Sequence, residues 1–203
     1  QKHAADLYQA YRDHDSVWDY MSTGPYSSSS QFYRWVNEVT AQPDVIYYAI
    51  KPLESGKSEG VASYLQIQPS AGSIEVGNIA YAPSLQKTKA ATEAMFLMMH
   101  WAFEAGYRRY EWKCNALNEA SRKAAQRLGF SFEGIFRQAM VVKGRNRDTA
   151  WFAMIDHEWP ALQEAFDVWL SPRNFDDKGD QKEHLGNLTG LIRANSDPLV
   201  KEF

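Results

Sequence analysis

The sequence predicts a mixed α/β (α+β) fold, a twisted and largely antiparallel sheet flanked by helices. Three observations carry this. Short stretches rich in Val, Ile and Tyr alternate with polar turns across residues 44–81. A long helical pattern then separates two further strand candidates. Two more strand-like stretches follow, joined through Gly144-Arg145-Asn146, as in a closing hairpin.

The first forty residues are amphipathic and helical. Leu7, Tyr8, Tyr11, Val17, Trp18 and Tyr20 recur at helical spacing, and Phe32, Trp35, Val36 and Val39 form a second stripe. Gly24, Pro25 and four serines over residues 23–30 separate the two. Strands are predicted over 44–51, 61–68 and 74–81, with polar turns at 55–60 and 69–73 favouring antiparallel hairpins. A helix over 88–105, with Ala91, Met95, Met98 and Ala102 on one face, stops at Gly106 and leads to a strand at 109–114. Two strands joined by a helix of that length form a crossover unit, which makes them parallel. The next helix spans 118–128, with Asn118 as N-cap and Gly129 as its stop. Strands at 130–143 and 149–156 follow, then a helix over 160–170 burying Leu162, Phe166 and Trp169. The expected organisation is one domain over 1–170 and a polar, partly irregular C-terminal extension over 171–203, loose at 176–182.

Composition narrows the function classes. A net charge of −3 gives no general attraction to nucleic acid or anionic membranes, so phosphate recognition must be local. The single Cys114 excludes an internal disulfide framework and a multi-cysteine zinc site, and no metal is expected. The apolar run 94–99 is too short to cross a bilayer, and no signal-peptide pattern opens the chain, so a cytoplasmic location is expected.

Two segments point to chemistry. In AYAPSLQKTKAATEA (80–94) a strand turns directly into a helix whose start carries Lys87, Thr88 and Lys89. Helix N-termini present unpaired N–H groups and favour phosphate, although lysines there also read simply as solvated surface. In CNALNEASRKAAQRLGFSFEG (114–134) a strand, Asn-x-x-Ser, a short helix and Arg-Leu-Gly-Phe follow one another. Taken alone, Asn118 is a helix cap and Ser121 a first-turn serine.

Together these segments resemble the GNAT superfamily of N-acetyltransferases, most clearly its RimJ/RimL-like ribosomal-protein N-terminal acetyltransferases. The similarity extends through Ile74-Glu75-Val76-Gly77, Arg137-Gln138 and residues 149–156. The resemblance implies a sheet whose two central parallel strands splay apart to admit acetyl-CoA as cosubstrate. On that basis Asn78, Ile79, Ala80 and Tyr81 line the pantetheine arm. Gln86, Lys87, Thr88, Lys89, Ala90 and Ala91 hold the pyrophosphate, Asn118 contacts pantetheine, and Ser121 stands near the thioester sulfur. Glu75 is the implied general base. The sequence departs from the pattern in three places. Lys89 occupies a glycine position of the pyrophosphate loop, and Met140 replaces a glutamate of the ribosomal group. The strand that normally precedes the first helix is missing or trimmed.

The implied reaction is direct attack of a primary amine on the thioester, with a backbone N–H near Ile79–Tyr81 stabilising the oxyanion. The expected acceptor is a protein or peptide N-terminus, or a similar amine. A small-molecule amine is the alternative, and a non-catalytic CoA-binding sensor is the reading from another class. A homodimer is an open possibility; nucleic acid and membrane partners are not expected.

Overall fold

The computed structural model describes residues 2–200. Its elements run α1 (Ala4–Tyr11), a 3-10 turn (Asp15–Trp18), α2 (Ser29–Thr40), β1 (Ile46–Ile50), β2 (Gly60–Gln68) and β3 (Ser73–Tyr81). They continue with α3 (Lys89–Glu104), β4 (Arg109–Asn115), α4 (Glu119–Arg127), β5 (Ser131–Val142) and β6 (Arg145–Ile155). The chain then forms α5 (Trp159–Leu170), a second 3-10 turn (Pro172–Asn174) and α6 (Leu185–Gly190). The strands form one sheet in the order β1-β2-β3-β4-β6-β5. Every neighbouring pair is antiparallel except β3 and β4, which the α3 crossover makes parallel.

Strand alternation divides the sheet into two faces. Ile74, Val76, Tyr110, Trp112, Phe152 and Met154 join the main core, packed under α3, α4 and α5. The opposite face is covered at one end by α1 and α2, whose Tyr11, Phe32 and Trp35 enclose Trp18 and rest on Val61 and Ala80. Trp18 meets Tyr11, Tyr26 and Trp35 edge-on at 5.1–5.3 Å, an arrangement that suits the aromatic quadrupoles. The rest of this second face is open and carries charge.

The parallel pair is short. Ser73–Val76 pair with Arg109–Trp112 and then the strands part, β3 continuing along β2 to Tyr81 and β4 along β6 to Asn115. A bulge accompanies the parting: two steps on β2, Val61 to Ser63, face three on β3, Ala80 to Gly77. Within that bulge Asn78 takes the left-handed conformation (φ 50°), which asparagine tolerates better than most residues.

The helix ends follow the local signals. Asn118 Oδ1 accepts from Ser121 N–H and caps α4, while Gly129 at φ 97° ends it beneath Leu162. The hairpin turn differs by a residue from the sequence pattern. It lies at Lys143-Gly144, both left-handed, and Arg145 already belongs to β6.

The segment after Leu170 lies against the domain. In the 176–182 stretch, expected to be loose, Asp176 Oδ1 accepts from the N–H groups of Lys178 and Asp180, and Phe175 pairs with Gln181. Further on, Thr189 donates to the Arg127 carbonyl and Arg193 to that of Gln126. Asp197 is buried and forms a two-pronged ion pair with Arg122 of α4. Polar composition concealed this docking, because the few apolar residues that reach the core, Leu185, Leu188 and Ile192, are set among hydrogen bonds and one buried ion pair.

Candidate active site

The gap between β3 and β4 opens into a cleft of about 500 Å³ that reaches both faces of the sheet. Glu75, Asn78, Ile79, Asn118 and Ser121 all line it, so five of the residues singled out in the sequence meet at one place. Ala80 and Tyr81 continue along β3 outside this lining. The Ala80 carbonyl accepts from Tyr11 Oη at 2.7 Å, and the Tyr81 carbonyl accepts from Gln86 Nε2 at 2.8 Å.

On the helix face the cleft is walled by Trp112, Cys114, Asn118 and Ser121. The Trp112 indole Nε1–H donates to Ser121 Oγ at 3.0 Å. An indole only donates, so the serine oxygen is the acceptor and its own hydrogen is left to donate elsewhere. Cys114 is buried in the core, and burial raises its thiol pKa above the ordinary value.

The start of α3 lies outside the cleft lining. Thr88 is its N-cap, accepting from Ala91 N–H at 3.1 Å and donating to the Leu85 carbonyl at 2.7 Å. Its hydroxyl is therefore occupied, and any phosphate there meets the first-turn backbone N–H groups of Lys89 and Ala90. Lys87 adopts φ 62°, and Lys89 directs its ammonium over the Phe175 ring of the C-terminal segment, 4.7 Å from the centroid.

The open face carries the charge. Lys113 Nζ lies 2.7 Å from both Glu75 Oε2 and Glu111 Oε2, and Arg109 links Glu111 to Glu133. Desolvation by burial pushes the Glu75 carboxyl above its usual range, against the opposing pull of Lys113. Burial also pushes Glu111 upward, but bonds from Lys113 and Arg109 outweigh it and hold that carboxyl low. Of the two carboxylates, Glu75 is thus the one whose environment favours holding a proton.

Several lining residues were not apparent in the sequence. Lys113 lies 4.0 Å above the Trp151 ring, which stacks on Phe136 at 4.4 Å. Arg147 and Thr149 continue the β6 wall, and Tyr20 closes the mouth by donating to the Leu117 carbonyl at 3.1 Å. For Arg147, Thr149 and Trp151 the signal was a period-two pattern along β6, which acquires meaning only once β6 is known to pair with β4.

A family model described as an acetyltransferase (GNAT) domain matches residues 1–131. A GCN5-related N-acetyltransferase from Brucella melitensis shares 44% identity, covers 94% of this chain and 87% of its own, and superposes with a TM-score of 0.91. A probable acetyltransferase of the GNAT family from Chromobacterium violaceum shares 44% identity over 79% of this chain and 81% of its own, with a TM-score of 0.75. RimL, the ribosomal L7/L12 α-N-protein acetyltransferase, is 24% identical, covers 76% of this chain and 85% of its own, and shares the fold at a TM-score of 0.63. No curated protein matches the sequence. Among the described residues no helix is long and apolar enough to cross a membrane. The parted strands therefore have a known counterpart: with a domain match across well over half its length, this chain belongs to the GNAT acetyltransferase family.

Proposed function

We propose that this protein transfers the acetyl group of acetyl-CoA to a primary amine, with Glu75 as general base and Ser121 as hydrogen-bond donor to the departing sulfur. The observation that carries this is the cleft through the sheet, with Ser121 on its helix-side wall and Glu75 on the opposite face. The fit to the cosubstrate rests on two features. Beyond Val76 and Trp112 the facing edges of β3 and β4 have lost each other as partners, leaving backbone polar groups for a pantetheine arm to pair with. The start of α3 offers first-turn N–H groups to a diphosphate.

An amine attacks only when neutral, and Glu75 with its raised pKa is suited to accept the proton that the nitrogen loses. As the new C–N bond forms, the C–S bond breaks and the sulfur leaves with the bonding pair. Ser121, its oxygen occupied by Trp112, turns its hydrogen toward that sulfur. Lys113 keeps Glu75 in place and, lying over Trp151, is itself held.

For the acceptor, the cleft favours a small amine over a protein N-terminus. Its open-face wall is aromatic, with Tyr20, Phe136 and Trp151, and Tyr20 bridges its mouth to Leu117. Its volume of about 500 Å³ suits a molecule of drug size. A panel of small amines and short peptides, assayed with acetyl-CoA, tests both parts. Peptides acetylated in preference to every small amine would reverse the acceptor assignment. Tight CoA binding without turnover on any amine would instead support a sensor.

A further inference from the structure

Arg147, Thr149 and Trp151 lie two apart on β6 and so share one side of the strand. All three line the cleft. Each also carries a polar atom that is buried and lacks a hydrogen-bond partner: Arg147 Nε, Thr149 Oγ1 and Trp151 Nε1. Unpaired buried donors are uncommon, and each costs about 1–3 kcal/mol. Three in a row on one wall of one cleft form a built surface that wants acceptors.

The charges nearby do not account for it. Glu75, Glu111 and Glu133 are already bonded to Lys113 and Arg109. Among the described residues no ion pair or hydrogen bond reaches the Arg147 guanidinium. It acts on Glu75 only at a distance, drawing its pKa down slightly. A cation left in a cleft beside two neutral donors is complementary to an anion, and the flat guanidinium fork matches a carboxylate.

We infer that the acceptor is a primary amine bearing a carboxylate, which Arg147 receives with the Thr149 hydroxyl and the Trp151 indole N–H donating beside it. This rests on the acetyl-transfer reading above and narrows its substrate class. The register supports the direction of binding. Trp151 stands opposite Lys113, which holds Glu75, while Arg147 lies further along β6, beyond Thr149. A substrate with its amine toward Glu75 and its carboxylate toward Arg147 spans the open face of the cleft.

The test compares kcat/KM for carboxylate-bearing amines with their uncharged carboxamides. One arm holds α-amino acids, a second ω-amino acids of increasing length, and a third short peptides with an acidic residue beside the N-terminus. Wild type is expected to prefer the acid by about a hundredfold in at least one arm, the usual scale for a desolvated charge pair. R147Q is expected to erase that preference and R147K to restore part of it. Calorimetry with CoA present should show the preferred acid binding wild type and losing affinity in R147Q, while CoA affinity stays the same and the melting temperature does not fall. Acids and amides accepted equally by wild type would overturn the inference and leave acetyl transfer standing. So would a preference for O-phosphoethanolamine over every carboxylate, or an equal loss on acids and amides in R147Q. Failure to acetylate any amine despite CoA binding would sink the transfer reading, and this inference with it.

Discussion

The two walls of the cleft are built differently. The helix-side wall is made of local structure: α4, capped by Asn118, carries Ser121 two residues into the helix, and Trp112 on the adjoining strand fixes the serine hydroxyl. The open-face wall is made of pairings between distant segments, with Glu75 on β3, Lys113 on β4 and Trp151 and Arg147 on β6. In the proposed reaction the first wall meets the cosubstrate, which is the same in every turnover, and capping rules suffice to write it. In that reaction the second meets the acceptor, and its chemistry lies in which side chains the sheet register brings face to face.

If that division is right, the walls should fail in different ways. The largest effect is expected from Glu75→Gln, which should lower kcat by about 10²–10⁴, the span of general base catalysis, with little change in CoA affinity. Because burial holds the Glu75 carboxyl above its ordinary range, the acid limb of the wild-type pH–rate profile should lie above where a free glutamate titrates. The same raised pKa means that Glu75 costs stability as pH rises through its folded value, and the variant should lose that slope. Lys113, Glu111 and Arg147 face this carboxyl and set where the limb falls. A variant that kept both rate and limb would remove Glu75 from the mechanism.

Asp197→Ala should come next, acting on the other wall through the fold. Stranding the Arg122 guanidinium in the core should cost about 3–5 kcal/mol, visible as a lower melting temperature and denaturation midpoint. A melting curve that did not move would show that the tail bears little weight.

Trp112→Phe tests the hydroxyl alignment more finely. Losing one hydrogen bond should cost about 1 kcal/mol, a roughly fivefold drop in kcat, and the loss should vanish when Ser121 is already alanine. Equal losses in both backgrounds would mean that the indole matters only for packing.

The smallest effect is expected at the α3 start. Lys89→Ala should weaken CoA binding more than Lys87→Ala, each by no more than about 1 kcal/mol, since both lysines are exposed. Equal affinities by calorimetry would count against a phosphate role for Lys89, leaving its contact with Phe175.

The same division explains what could be read from the chain. The crossover helix, the Asn118 cap, the Gly129 stop and the Asn-x-x-Ser segment are signals within a few residues, and each element appears where they place it. Glu75 and Ser121 could be named because short motifs contain them. Lys113 could not, since in Arg-Tyr-Glu-Trp-Lys-Cys nothing says which alternate residues face a cleft. Arg147 and Trp151 were hidden likewise, as their role depends on β6 entering the sheet between β4 and β5. The tail was harder still, because its polar sequence resembles solvated surface until the buried partners of Asp197 and Thr189 are known.

The ion pair across 75 positions also imposes an order in time. At about 5–20 residues per second, synthesis of Asp197 follows that of Arg122 by roughly 4–15 s. Through that interval the helix bearing Ser121 lacks its distant anchor. A ribosome therefore delivers the strands of the sheet before the residue that anchors this helix, and Arg122 meets its buried partner only after Asp197 has been made.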